Sequence, residues 1–89
     1  MPDSVAGSCD TRASTGYCID YFGSIYTFAA VQAVCTGGVA SADPCDRSDG
    51  YGQCCLDPDT DAAAVVVYYD DTANKELLKQ GCSTGWLDL

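Results

Sequence analysis

The chain has 89 residues, with 13 acidic and only 4 basic side chains, and a formal charge of −9. That balance leaves nothing to neutralise phosphates, so it argues against nucleic acid and against docking on anionic lipid. No apolar run is long enough to span a membrane, and a chain this short makes one domain whose small core calls for staples.

The first element predicted in chain order is a strand over 17–22, Tyr-Cys-Ile-Asp-Tyr-Phe, rich in aromatic and β-branched types and ended by Gly23. Phe28, Val31 and Cys35 then fall at helical spacing, which predicts a buried helix over 27–35 stopped by Gly37-Gly38. A short strand over 39–41 and an Asp43-Pro44 turn follow. Further on, 52–56 reads as a strand and Asp57-Pro58-Asp59 as a turn. Residues 63–69, Ala-Ala-Val-Val-Val-Tyr-Tyr, form the strongest strand signal. Their unbroken apolar run implies burial on both faces. Asp70, Asp71 and Thr72 would cap a helix reaching Gln80, with Lys79 near its negative end and Gly81 after it. Residues 86–89 read as a last strand.

The cysteines order these elements. Cys9-Asp10 begins an eight-residue gap that ends at Gly16-Tyr17-Cys18, and Cys45-Asp46 begins another that ends at Gly52-Gln53-Cys54. Tyr21 precedes Cys35 by fourteen residues, as Tyr68 precedes Cys82, and a Gly-containing turn follows each of these cysteines. Such recurrence predicts a duplicated chain, 9–44 and 45–89, within a single domain 1–89. Unit two carries an insertion between Cys54 and Tyr68 that holds Cys55. The expected fold is α+β: a disulfide-stapled sandwich of two β-α-β repeats, ferredoxin-like or similar, with parallel pairs. Two helices would lie on one face of a sheet of about four or five strands.

Seven cysteines with no histidine favour disulfides in an oxidising compartment over a zinc site, for which the spacing is wrong. Six fit the pattern: Cys9, Cys18, Cys35, Cys45, Cys54 and Cys82. Each unit holds an odd number of them, so full pairing requires a bond between units. One symmetric scheme joins Cys18–Cys35, Cys54–Cys82 and Cys9–Cys45. Another joins Cys9–Cys18, Cys45–Cys54 and Cys35–Cys82. Cys55 has no counterpart. It reads as a buried thiol, as a bridge to another molecule (a second copy would give a homodimer), or as a redox partner of Cys54.

Other candidate sites have less behind them. Asp57, Asp59 and Asp61 alternate as calcium ligands do, but Ala62 stands where such a loop needs Gly and Tyr68 where it needs Glu. The simpler reading is a polar turn, with no metal or cofactor. Catalysis lacks a histidine base. Asp20, on the strand beside Cys18, reads as a solvated or hydrogen-bonded carboxylate, because its counterpart in unit two is Val67. Tyr21, Tyr68 and Trp86 read as packing residues. Tyr17 and Tyr51, in the loops between paired cysteines, are the candidate binding residues.

Laid out this way, the chain resembles uncharacterised cysteine-rich domains of exported proteins and lipoproteins of the myxobacterial type. The resemblance runs through Gly16-Tyr-Cys18-Ile-Asp-Tyr21, Cys35-Thr-Gly-Gly38, Pro44-Cys45, Gly52-Gln-Cys54, Tyr68-Tyr69 and Cys82-Ser-Thr-Gly-Trp86. Cys55 departs from the pattern. The resemblance implies export and disulfides but no activity. Export in turn implies a leader, and Met1-Pro2-Asp3 reads as a start that replaced one. The function expected is an exported, non-catalytic module that binds a protein or surface glycan, or serves as a structural surface component. The alternatives are a redox protein working through Cys54-Cys55 and a secreted effector or inhibitor.

Overall fold

The computed structural model describes residues 5–57, 60–69, 75–82 and 85–89. Its elements are β1 (Gly7–Asp10), α1 (Arg12–Thr15), β2 (Tyr17–Tyr21), α2 (Phe28–Val34), β3 (Val39–Ser41), β4 (Gly52–Leu56), β5 (Ala64–Tyr68), α3 (Lys75–Gly81) and β6 (Trp86–Asp88). The expected caps Asp70, Asp71 and Thr72, and the turn residues Pro58 and Asp59, lie outside the described residues.

The α+β class and the disulfide staples are present, but the sheet has six strands rather than four or five, in the order β3-β1-β2-β5-β4-β6. Every pairing in it is antiparallel, so the expected parallel β-α-β pairs do not form. The reason is β1, a strand with no β-branched residue to announce it. It pairs with β2 as a hairpin, and the chain leaving α2 comes back as β3 beside β1, not beside β2.

Two halves, β1-β2-α2-β3 and β4-β5-α3-β6, take equivalent places on either side of a β2–β5 seam. Within that arrangement Cys54 occupies the place of Cys9, since Cys9 opposes Ile19 across the first hairpin and Cys54 opposes Val66 across the second. The sequence alignment had set Cys9 against Cys45 and Cys18 against Cys54.

The disulfides follow the topology. They are Cys9–Cys35, Cys18–Cys45 and Cys54–Cys82. Cys54–Cys82 agrees with the first scheme, and the bond required between units is present as Cys18–Cys45. Neither symmetric scheme holds as a whole, because Cys35 is taken by Cys9 rather than by Cys18 or Cys82. Cys9 and Cys54 point to the same face, in one row with Ile19 and Val66. Their disulfides therefore tie the chain ends that follow α2 and α3 to that face.

α2 forms where expected, but it is not the buried helix expected: Phe28 and Val34 are exposed, and only one residue of it is buried. The Thr27 hydroxyl accepts a hydrogen bond from the Ala30 N–H at 3.1 Å and caps the helix, and Val31 is its fully buried residue. The opposite face is covered by loop 42–50. There Cys18, Cys45, Val65 and Val67 form a buried cluster, with Phe22, Cys55 and Tyr69 packed against it. Val65, Val66 and Val67 of β5 are 1, 7 and 0% exposed, which is the two-sided burial their run implied. Each contributes about 1.5–3 kcal/mol to folding.

Candidate binding face and buried latch

Alternation along the seam strands sends Tyr17, Ile19 and Tyr21 of β2, with Ala64, Val66 and Tyr68 of β5, to the face that carries the Cys9 and Cys54 bonds. Tyr17 and Tyr68 are cross-strand partners, with ring centroids 6.1 Å apart and an edge-on geometry. Tyr68 continues to Trp86, 5.8 Å away and tilted only 25° from it. Trp86 reaches this position by lying over Gly52, where a Cβ would fall 2.1 Å from its Cζ2 and 2.7 Å from its Cη2. The indole N–H donates to Asp88 Oδ1 at 2.8 Å. At the other end of the seam Tyr21 packs on Tyr26, with centroids 4.7 Å apart.

All five of these aromatic residues are half-buried. The expectation that Tyr21, Tyr68 and Trp86 are core packing is thus met only halfway. Burial, then the neighbouring phenols, push Tyr21 and Tyr68 above the usual tyrosine range. Both therefore keep their hydroxyl protons at neutral pH. The strip offers aromatic surface edged with phenol hydroxyls; β2 and β5 place no charged residue on it, and the exposed Asp88 carboxylate borders it at Trp86.

The candidate pair Tyr17 and Tyr51 separates. Tyr17 joins this row. The Tyr51 hydroxyl oxygen is buried, and its backbone donates to Tyr68 O at 2.9 Å and accepts from Leu89 N at 3.3 Å. It belongs to the packing.

Asp20 lies on the opposite face, with no exposure. Its Oδ1 accepts from the Cys45 N–H at 2.7 Å, and its Oδ2 accepts from Arg47 Nη2 at 2.6 Å. Arg47 also donates to Cys45 O at 3.0 Å and to Gln53 Oε1 at 2.8 Å. With the Cys18–Cys45 disulfide two residues from Asp20, this makes a covalent and ionic latch holding loop 42–50 on the sheet. Ser8 Oγ adds a bond to Asp43 O at 2.7 Å. Asp20 was singled out in the sequence; Arg47 and Gln53 carried no pattern that pointed to them.

The latch edge is closed by Tyr69. Its hydroxyl donates to Asp46 O, and the Arg12 guanidinium sits 4.4 Å above its ring. Burial raises the Asp10 carboxyl, but the Arg12 backbone N–H and guanidinium outweigh it and hold it below the ordinary range.

Cys55 lies outside the three disulfides, half-buried, on the face of the latch, and its N–H donates to Gly85 O at 2.9 Å. Cys54 is bonded to Cys82, so no Cys54–Cys55 bond is formed. Of the calcium candidates, Asp59 is outside the described residues. Asp57 is exposed, and Asp61 Oδ1 accepts from Ser24 Oγ at 2.8 Å. Among the described residues no group of three or more metal-binding side chains comes together.

Comparison with protein-family models, with curated proteins and with solved structures finds no match to this chain. The three disulfides favour an oxidising extracellular or periplasmic setting. Among the described residues no helix is long and apolar enough to cross a membrane.

Proposed function

We propose that the chain is an exported, non-catalytic binding module, and that its binding face is the strip formed by Tyr17, Tyr21, Tyr68 and Trp86. One observation carries this reading. The chain spends its large aromatic residues on a half-exposed row beside the bonds that anchor α2 and α3, with buried core residues both beneath that row and on the opposite face. Tyr and Trp dominate binding hot spots because they present large rigid area at low entropic cost. Disulfides hold that area in place before any ligand arrives. The cysteine pattern's resemblance to exported domains agrees with this role. The carboxylate best placed for chemistry, Asp20, is committed to the latch.

The test is a screen of the oxidised chain against a glycan array and a displayed peptide library, repeated with Trp86→Ala. Ligands that bind the parent and are lost with the variant support the reading. Ligands that bind both equally place the binding face elsewhere and overturn it.

A further inference from the structure

We propose that two copies of the chain pair through β3, antiparallel and about a twofold axis, so that the sheet runs on from one copy into the other. Among the described residues the sheet has two edges, β3 and β6. An edge strand presents unpaired N–H and C=O groups, which proteins commonly blunt with lysine, proline or a bulge. β3 is Val-Ala-Ser in unbroken register with β1, and has none of these.

The pairing of β1 fixes which groups of β3 point outward. Thr11 N–H donates to Tyr17 O at 3.2 Å, which continues the β1–β2 register as a hydrogen-bonded pair. Alternation makes Cys9–Ile19 the next such pair, so Ser8 and Asp10 turn their main-chain groups towards β3. Their partners Ser41 and Val39 answer them, and the Ala40 N–H and C=O point away from the sheet. On a twofold axis Ala40 meets its own copy, and each N–H donates to the other C=O. The rest of the register follows: Val39 opposes Ser41 of the second copy and Gly38 opposes Ala42, with no charge among them.

Charge selects the same edge and the same occupant. Residues 21–42 carry no charge, the longest such run in a chain of net −9. Two such chains repel wherever their carboxylates meet. The first acidic residue after β3 is Asp43. Its two copies would stay about 20 Å apart at about 3.4 Å per residue, beyond a Debye length of about 10 Å. Asp10, on the neighbouring strand, is neutralised by Arg12 at 3.1 Å. At β6 the same operation, centred on Leu87, would set two Asp88 residues only about 8 Å apart. A basic foreign strand would be drawn to carboxylates and not to this run.

Apolar surface flanks the pairing strand, since Val39 is 69% exposed and Val34, at the end of α2, is 59% exposed. The edge is also held in place beforehand. The Cys9–Cys35 bond lies ahead of it, and beyond it the Asp43 N–H donates to Ser41 Oγ at 3.1 Å while Asp43 O accepts from Ser8 Oγ at 2.7 Å.

Sedimentation velocity of the oxidised chain over a concentration series, at low and high salt, tests this. The mass should rise from 9.3 kDa towards twice that value, and more readily at high salt, which screens the repulsion between two −9 chains. So short a strand makes a small interface, and the dissociation constant expected is roughly 10–100 μM. Ala40→Pro removes the outward N–H while leaving the β1 ladder bonded, and should weaken association about tenfold or more. Should that variant fail to fold, Val39→Glu, at a site already in water, sets two new carboxylates about 8 Å apart and should have the same effect. Leu87→Glu, on the other edge, should leave the dimer unchanged. A chain that stays monomeric up to about 1 mM overturns the proposal, as does association unchanged in both β3 variants or lost only in Leu87→Glu. So does a dimer that survives denaturant until a thiol reductant is added, since Cys55 would then be the bridge. If the chain stays monomeric but an extended displayed peptide binds and is lost with Ala40→Pro, the edge takes a foreign strand and self-pairing falls.

Discussion

A carboxylate with no exposure is tolerated only when its charge is met, and Asp20 meets it with one N–H and one guanidinium. Asp20→Asn removes the negative charge but leaves Arg47 in place, only 32% exposed. We expect a loss of about 3 kcal/mol or more in urea unfolding, the usual cost of breaking one side of a buried pair. A loss under about 1 kcal/mol, the scale of a surface pair, would show that the latch is ornamental. Half of this latch was legible. An aspartate on an aromatic strand beside a cysteine stands out. Its partner sits 27 residues away, in a loop of Asp, Ser and Gly whose spacing obeys no period. The tyrosines give a second test at this scale. Tyr21, Tyr68 and Tyr69 are raised above the ordinary value of 10.0, chiefly by burial. The folded state then holds protons that the unfolded chain has released. Their contribution to stability is complete below pH 10 and is lost as pH rises through the folded values. Phenolate absorbance should show these three ionising late, and stability should fall across the same alkaline window. A single unperturbed titration step for all six tyrosines would contradict the burial assigned to them.

Strands and helices were legible to different degrees, for reasons that lie in their side chains. β5 announces itself through three consecutive valines, and α2 through the helical spacing of Phe28, Val31 and Cys35 ahead of Gly37-Gly38. β1 is Gly-Ser-Cys-Asp, with nothing a strand prefers, and it exists because the hairpin and β3 flank it on both sides. Missing it turned an antiparallel sheet into an expected parallel one, since β3 then had only β2 to pair with. Its glycine has a purpose that emerges only in three dimensions. A Cβ on Gly7 would come within 3.0 Å of Phe28 and 3.3 Å of Val31, so the bare backbone lets α2 settle on the sheet. Gly52, in the equivalent place on β4, does the same for Trp86. Gly52→Ala should therefore push the indole off the strand. The expected cost is roughly 1–3 kcal/mol, as for other overpacked sites, with a red shift in tryptophan emission. An unshifted spectrum would mean that the ring does not rest on β4.

At the scale of the whole molecule, the three disulfides close loops of almost equal length, with sequence separations of 26, 27 and 28. The entropy each removes from the unfolded chain is therefore nearly the same, about 3.5 kcal/mol. That equality makes the bonds comparable, because any difference between variants lacking one of them must come from the folded state. Peptide mapping without reduction should first recover Cys9–Cys35, Cys18–Cys45 and Cys54–Cys82, with Cys55 alone taking up iodoacetamide after denaturation. A Cys54–Cys55 peptide would instead favour redox chemistry. The folded-state terms then differ by position. Cys35 and Cys82 are half-buried at the ends of helices, so replacing Cys9–Cys35 or Cys54–Cys82 by alanines frees a helix end that water can reach. Cys18 and Cys45 are 2% and 6% exposed, inside the cluster that covers β5 and next to the Asp20–Arg47 pair. Releasing loop 42–50 would wet Val65 and Val67 and loosen that ion pair at the same time. The C18A/C45A variant should thus have the lowest urea midpoint of the three, and its deficit should shrink once Asp20→Asn has already weakened the latch. Equal midpoints for all three variants would show that the bonds act only on the unfolded chain, and that loop 42–50 stays on the sheet without its covalent tie.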